Sequence, residues 1–225
     1  MYKACIFDLD GTLADTLESL TFSVNETLKE MGLSVITKEQ CRRFVGNGAK
    51  VLMEKAIESG GGCAEDRIEE GMERYRRIFD ANCTYHVIPY EGIETLLKTL
   101  KSRNIKLAVL SNKPDVQTVK VVEELFGKGM FDWIQGQKEG VPRKPDPSAA
   151  LAIAESLGIT AKETVYIGDS EVDIATGRAA NMLTVGVAWG FRGAAELEEA
   201  GAGCIVSSPD EIVQLIGKKE EKGYE

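Results

Sequence analysis

The sequence predicts an α/β protein: a parallel sheet with crossover helices, interrupted near its start by a small helical insertion. Two observations predict it. Five short, β-branched apolar runs, at residues 3–9, 105–111, 164–168, 183–188 and 204–207, are continuous rather than alternating, as expected of strands buried on both faces. Helical patterns lie between most of them, and strands alternating with helices imply parallel crossovers. Residues 16–85 break this rhythm, with no convincing strand in some seventy residues.

The first run starts almost at Met1, which leaves no room for a signal peptide. In the strandless segment Leu17, Leu20, Val24, Leu28 and Met31 trace a helical stripe. Thr37 through Gln40 form a capping box, and residues 51–57 and 67–79 complete a set of four helices. The economical reading is a helical domain at 16–85 inserted into an α/β core made of 1–15 and 86–225. The joints fall near Asp15 and in 86–92, where Pro89 and Gly92 suit a hinge. Beyond them Ile93, Leu96, Leu97 and Leu100 mark one helix, and Ala150, Leu151, Ala154 and Leu157 another. The last helix opens with Ser208-Pro209-Asp210-Glu211, a capping box with proline at the first helical position. The polar tail 217–225 is expected to fray.

Composition narrows the partners. The 225 residues are 43% hydrophobic and 28% charged, ordinary for a soluble globular chain. A net charge of −9 repels nucleic-acid backbones and anionic membranes, so neither is an expected partner. No apolar stretch reaches transmembrane length. Cys5, Cys41, Cys63, Cys83 and Cys204 are odd in number and contain no C-x-x-C pair, which argues against a disulfide framework and a zinc knot. A cytoplasmic protein is expected, with monomer and homodimer both open.

Parallel sheets bind ligands beyond the carboxyl ends of their strands. Past the first run comes Asp8-Leu9-Asp10-Gly11-Thr12; past the second, Ser111-Asn112-Lys113; past the third, Gly168-Asp169-Ser170 and then Asp173. Lys144 opens the segment leading into the helix before that third strand. Asp8 and Asp10 project to the same side of an extended segment. Two close carboxylates need a metal, a lysine or a proton to offset them, and phosphoryl transfer uses all three. Asp8 would attack phosphorus, and Mg²⁺ held by Asp8, the Asp10 carbonyl and Asp169 would neutralise the phosphate oxygens. Lys144 would hold nucleophile and phosphate together. Ser111, Asn112 and the backbone after Asp8 at Gly11 and Thr12 would bind the remaining oxygens. Asp10 would protonate the leaving alcohol and then activate water. The bland alternatives are a strand end with a tight turn for the aspartates, a helix cap for Ser111 or Asp173, and a solvated loop lysine for Lys144. Lys113 and Arg143 read as flanking charge, and His86 as a structural or surface residue.

The chain resembles the phosphatase branch of the haloacid dehalogenase superfamily. The resemblance rests on Phe7-Asp8-Leu9-Asp10-Gly11-Thr12-Leu13, Leu110-Ser111-Asn112, Lys144-Pro145 and Gly168-Asp169-Ser170-Glu171-Val172-Asp173, four motifs in order. It implies a Rossmann-like core with a cap domain at the helical insertion, the roles given above, and Asp173 supporting the metal site from nearby. In the insertion, Phe44-Val45-Gly46-Asn47-Gly48-Ala49-Lys50 is similar to the cap segment of phosphoglycolate phosphatases. Gly46, Asn47 and Gly48 lead into a helix whose first amides could hold a carboxylate, with Lys50 beside them and Arg42 and Arg43 as alternative contacts. The expected substrate is a small phosphorylated metabolite, 2-phosphoglycolate first. A β-phosphoglucomutase-like mutase, a pyrophosphatase, a nucleotidase and a non-catalytic binding protein are the competing readings. A dehalogenase is disfavoured, since that branch lacks an aspartate at the position of Asp10.

Overall fold

The computed structural model of the chain describes residues 2–217; the expected frayed tail lies, apart from Gly217, outside them. In chain order the elements are β1 (Ala4–Phe7), β2 (Ala14–Asp15), α1 (Leu17–Glu30), α2 (Lys38–Phe44), α3 (Ala49–Ser59), α4 (Ala64–Asn82) and β3 (Ile88–Pro89). There follow α5 (Ile93–Ser102), β4 (Lys106–Pro114), α6 (Asp115–Phe126), β5 (Trp133–Gln137) and α7 (Ser148–Ser156). The last are β6 (Thr164–Gly168), α8 (Glu171–Ala179), β7 (Leu183–Val187), α9 (Ala194–Glu199), β8 (Cys204–Val206) and α10 (Pro209–Gly217).

Six strands form one sheet in the order β5-β4-β1-β6-β7-β8, every neighbouring pair parallel. The three strands at its centre are the ones whose ends carry the polar residues. β1 is wholly buried, and Ile6 and Phe7 face opposite sides of the sheet, each packed into a separate apolar cluster. The carboxyl ends of β4, β1 and β6 therefore sit side by side, with Phe7 opposite Val109 on one flank and Ile167 on the other.

Three features differ from the expectation. β5 was not foreseen, because it lies at the sheet edge and carries Gln135, Gly136 and Gln137 in place of an apolar run. β4 extends past residue 111 to Pro114, and its pairing with β5 slips between Leu110 and Pro114. Ser111, Asn112 and Lys113 lie in that irregular stretch. A bulge releases side chains from strict alternation, which lets all three border the same hollow. Finally, β2 and β3 pair antiparallel, Ala14 with Pro89 and Asp15 with Ile88, and so tie together the two chain segments that lead into and out of α1–α4.

The capping box at Thr37 forms as its spacing predicts, with Thr37 accepting from the Gln40 amide and Gln40 accepting from the Thr37 amide. A second forms at Ser170 and Asp173 and starts α8 beside β6. At the start of α10 Glu211 accepts from the Ser207 amide and lies 3.3 Å from the Ser208 hydroxyl.

Candidate active site

The site is built where β1 stops. The Asp8 amide continues the ladder by donating to the Ile167 carbonyl at 2.9 Å. The next residues fold into a tight turn: the Gly11, Leu13 and Ala14 amides close onto the Ala14 and Leu9 carbonyls, with Gly11 at a φ of 85° that favours glycine. A second constraint acts on Gly11. A Cβ there would lie 2.2 Å from an Asp169 carboxylate oxygen, and a Cβ on Gly190 would lie 2.2 Å from the Asp169 Cβ. The Asp169 side chain is thus walled in by two glycines. It accepts from the Phe191 amide at 2.6 Å and the Thr12 hydroxyl at 3.4 Å.

Asp8, Asp169 and Asp173 each place a carboxylate oxygen within 4.8 Å of the others, all buried. Lys144 enters from the loop before α7, its Nζ 2.9 Å from Asp8 and 2.7 Å from Asp173. The Asp8 oxygen that faces Lys144 is buried and has that ammonium as its partner. Asp173 is fully engaged: Oδ1 takes Lys144, and Oδ2 takes the Ser170 hydroxyl and amide. Asp173 thus starts the helix and also anchors the lysine.

Charge explains the electrostatics. Burial, then the Asp173 carboxylate, push the Asp8 pKa up to about 7, with Lys144 opposing. Asp169 is raised for the same reasons, burial first and then Asp173 and Asp8. For Lys144 burial acts downward, but Asp173 and Asp8 outweigh it and hold the ammonium well above its ordinary range. Three buried carboxylates within 4.8 Å of one another, opposed by a single ammonium, are a set of hard oxygen donors that suits a divalent cation. Asp8 and Asp169 could hold such an ion, with Asp173 behind them.

Asp10 stands apart from that trio. Its carboxylate is 2.9 Å from Lys113 Nζ, whose side chain is only 1% exposed and lies 4.8 Å over the Phe79 ring of α4. Lys113 is therefore a buried partner of Asp10, and its reading as flanking charge is corrected. Ser111 also borders the site, its hydroxyl accepting from the Lys113 amide at 3.2 Å.

Several expected ligand contacts are redistributed. Asn112 turns its amide to protein: Oδ1 accepts from the Lys144 amide at 3.0 Å, and Nδ2 donates to the Lys144 carbonyl at 3.1 Å and the Gly46 carbonyl at 3.0 Å. With both N–H groups used, it positions Lys144 instead of binding an anion. The Gly11 and Thr12 amides are used in the turn, whereas those of Leu9 and Asp10 make no hydrogen bond among the described residues. The free donors beside Asp8 are thus one step earlier than expected.

Above the site α1, α3, α4 and the segment between α2 and α3 form a roof. The cavity beneath it is about 50 Å³, bordered by Asp8, Asp10, Lys113 and Lys144 below and by Leu20, Val45, Leu52 and Phe79 above. Gly46 and Gly48 also border it. Lys50 does not: it is exposed on α3, with Glu54 one turn on at 3.8 Å. Asn47 lies outside too, its carbonyl accepting from Arg143 at 3.0 Å. Arg42 and Arg43 are both paired with Glu39. The residues the sequence did not single out are Arg192 and Tyr75. Arg192 borders the cavity while donating to the Arg42 and Val45 carbonyls at 2.9 and 2.8 Å, and Tyr75 brings the roof's phenol. His86 is exposed, edge-on to Tyr85.

Comparison with known proteins places this geometry. Residues 5–187 match the family model of haloacid dehalogenase-like hydrolases. A phosphoglycolate phosphatase of Aquifex aeolicus is 31% identical over 215 residues, covering 95% of this chain and 96% of that protein. One of Pseudomonas savastanoi pv. phaseolicola is 29% identical over 217 residues, with 95% and 78% covered. A crystal structure from Lactobacillus delbrueckii subsp. bulgaricus, provisionally assigned as a phosphoglycolate phosphatase, superposes with a TM-score of 0.90 at 34% identity over 96% of this chain and 99% of that one.

Proposed function

Since the chain belongs to the haloacid dehalogenase-like hydrolases and is a phosphatase, we propose that it hydrolyses a small phosphate monoester through an aspartyl-phosphate on Asp8, with Mg²⁺ as cofactor and 2-phosphoglycolate as substrate. The observation that carries the reading is the Asp8 carboxylate, buried at the end of the central strand with the Lys144 ammonium 2.9 Å away and the Asp169 and Asp173 carboxylates close by. In this reading residues 16–85 are a cap over a core of 1–15 and 86–225, and the phosphoryl group occupies the cavity between them.

An Asp8 oxygen attacks phosphorus as the bond to the substrate oxygen breaks, and Asp10 delivers its proton to that oxygen. Asp10 then takes a proton from water, the water oxygen attacks phosphorus, and the Asp8–phosphorus bond breaks to release phosphate. Lys144, the Ser111 hydroxyl and the free Leu9 and Asp10 amides bind phosphoryl oxygens throughout. Mg²⁺, held by Asp8, Asp169 and the Asp10 carbonyl, would supply positive charge against the phosphate oxygens. Lys113 keeps Asp10 oriented toward the cavity.

The roof supports a small substrate. Leu20, Val45, Leu52 and Phe79 face the reacting groups from it, which leaves the space beside Asp8 suited to a phosphoryl group on a small leaving group. Arg192 also borders the cavity but is already held by Glu171 and by the Arg42 and Val45 carbonyls. A panel of phosphate monoesters assayed with Mg²⁺ and with chelator is expected to rank 2-phosphoglycolate first and to show no turnover with chelator. A flat ranking sinks the substrate, and undiminished turnover with chelator sinks the metal.

The raised Asp8 pKa also yields a stability test. A carboxyl whose folded pKa is about 7, against an unfolded value near about 4, holds its proton more tightly when folded. Its effect is nil or favourable at low pH, turns costly as pH climbs through that interval, and is fully costly above about 7. A bound cation removes the cost and competes with the proton. Adding Mg²⁺ is therefore expected to raise Tm more at pH 8 than at pH 5 in a thermal melt. Equal shifts at both pH values would contradict the assignment.

A further inference from the structure

A second hollow adjoins the catalytic cavity and has no part in the roles given so far. It is about 570 Å³, within the usual range for small-molecule sites. It runs between α3 and α4 on one side and the loop after β5 on the other. Gly48, Ala49, Asn112 and Pro114 border both hollows, so the two are neighbours.

Its charge is unlike that of the whole molecule. The chain carries 36 acidic side chains against 27 basic ones. The cleft is lined by Lys50, Arg76, Lys138 and Arg143 but by a single acid, Glu139. These cations are also poorly neutralised. Arg76 makes no ion pair or hydrogen bond among the described residues, and Arg143 binds only a backbone carbonyl. Glu69 and Glu73 line an adjoining hollow that Lys50, Met72 and Arg76 also border. Four cations line this cleft against one acid, with Glu54 and Asp115 only 3.8 and 3.6 Å from Lys50 and Lys138, and the excess makes a positive patch on an acidic surface.

We propose that this cleft is the entrance by which anionic substrate reaches the catalytic cavity, and that Lys50, Arg76, Lys138 and Arg143 capture phosphate esters there. The inference rests on the phosphatase reading but not on the identity of the ester. It answers the problem set by the net charge of −9: a dianion repelled by most of the surface is drawn to one face. It also gives Lys50 a place, outside the cavity and on the way in.

The test is the double variant Arg76→Glu/Lys138→Glu, two residues outside the reacting groups. The control is Lys98→Glu/Lys128→Glu, which changes the net charge equally at positions that do not line the cleft. With p-nitrophenyl phosphate and 2-phosphoglycolate at low salt, the cleft variant is expected to lose about tenfold in kcat/KM. Its kcat and melting temperature should hold, the loss should be larger for the more highly charged ester, and added salt should shrink the gap to wild type. A cleft variant within twofold of wild type, or a control that falls as far, overturns the entrance. A wild-type protein inactive on both esters instead overturns the phosphatase reading on which the entrance stands, and the two failures are distinct.

Discussion

Replacing Asp8 with asparagine is expected to abolish turnover, lowering kcat by at least about 10⁴-fold, as loss of a covalent nucleophile does elsewhere. The fold should persist, and metal-free protein should melt higher than wild type above pH 7. The first effect follows from chemistry: an amide oxygen is a poor nucleophile, and no other carboxylate can take its place. Asp10 is paired with Lys113, Asp169 is pinned between two glycines, and both Asp173 oxygens are already bonded. The second effect follows from burial. Asp8 is a carboxylate that the folded chain would sooner hold protonated, so a neutral side chain of the same shape removes a cost. Lys144 loses one neighbour but keeps Asp173 at 2.7 Å, and no unpaired charge is left behind. Kinetics and a melt at pH 8 in chelator check both. Residual turnover near the wild-type level would end the mechanism, and a large fall in Tm would show that Asp8 is there for stability.

How much of this was legible in the sequence depends on which forces act on each residue. β1, β4, β6 and β7 are buried on both faces, so burial alone makes their sequences continuously apolar. The strand-end rule then points at Asp8, Ser111 and Asp169 without any coordinates. β5 escaped because an edge strand can be polar. Gly136 was a usable signal there, since a Cβ would lie 2.5 Å from the Lys113 carbonyl, and a glycine inside a strand often marks such an approach. Lys113 escaped for a different reason. In Ser111-Asn112-Lys113-Pro114 a lysine before proline looks like a solvated turn, and only the bulge in β4 and the Phe79 ring from a distant helix bury it. Lys50 shows the limit of a local argument. A cation in the first turn of a helix does conflict with the dipole, but exposure to water and Glu54 four residues on relieve the conflict with no ligand. The contacts of Arg192 with the roof are wholly tertiary and have no local signature.

The pairing of Asp10 with Lys113 leads to the other large effect, Asp10→Asn, expected to lower kcat for an alkyl phosphate by about 10²- to 10⁴-fold. Two steps depend on the same carboxyl group, and they can be separated by the leaving group. An alkoxide needs a proton to depart, so the variant should stall before Asp8 is phosphorylated. A nitrophenolate leaves without one, and with p-nitrophenyl phosphate the first step should survive. Water must still be deprotonated to attack phosphorus, and asparagine cannot do that. The expected signature is a burst of nitrophenol near one equivalent per site, followed by slow turnover, with the phosphoryl group trapped on Asp8. Asparagine leaves the buried Lys113 ammonium without its carboxylate partner, with the Phe79 ring 4.8 Å away as its remaining contact, so a lowered Tm is expected alongside the loss of acid–base function. A variant that slows both esters alike and shows no burst would mean that Asp10 orients the site through Lys113 and carries no proton.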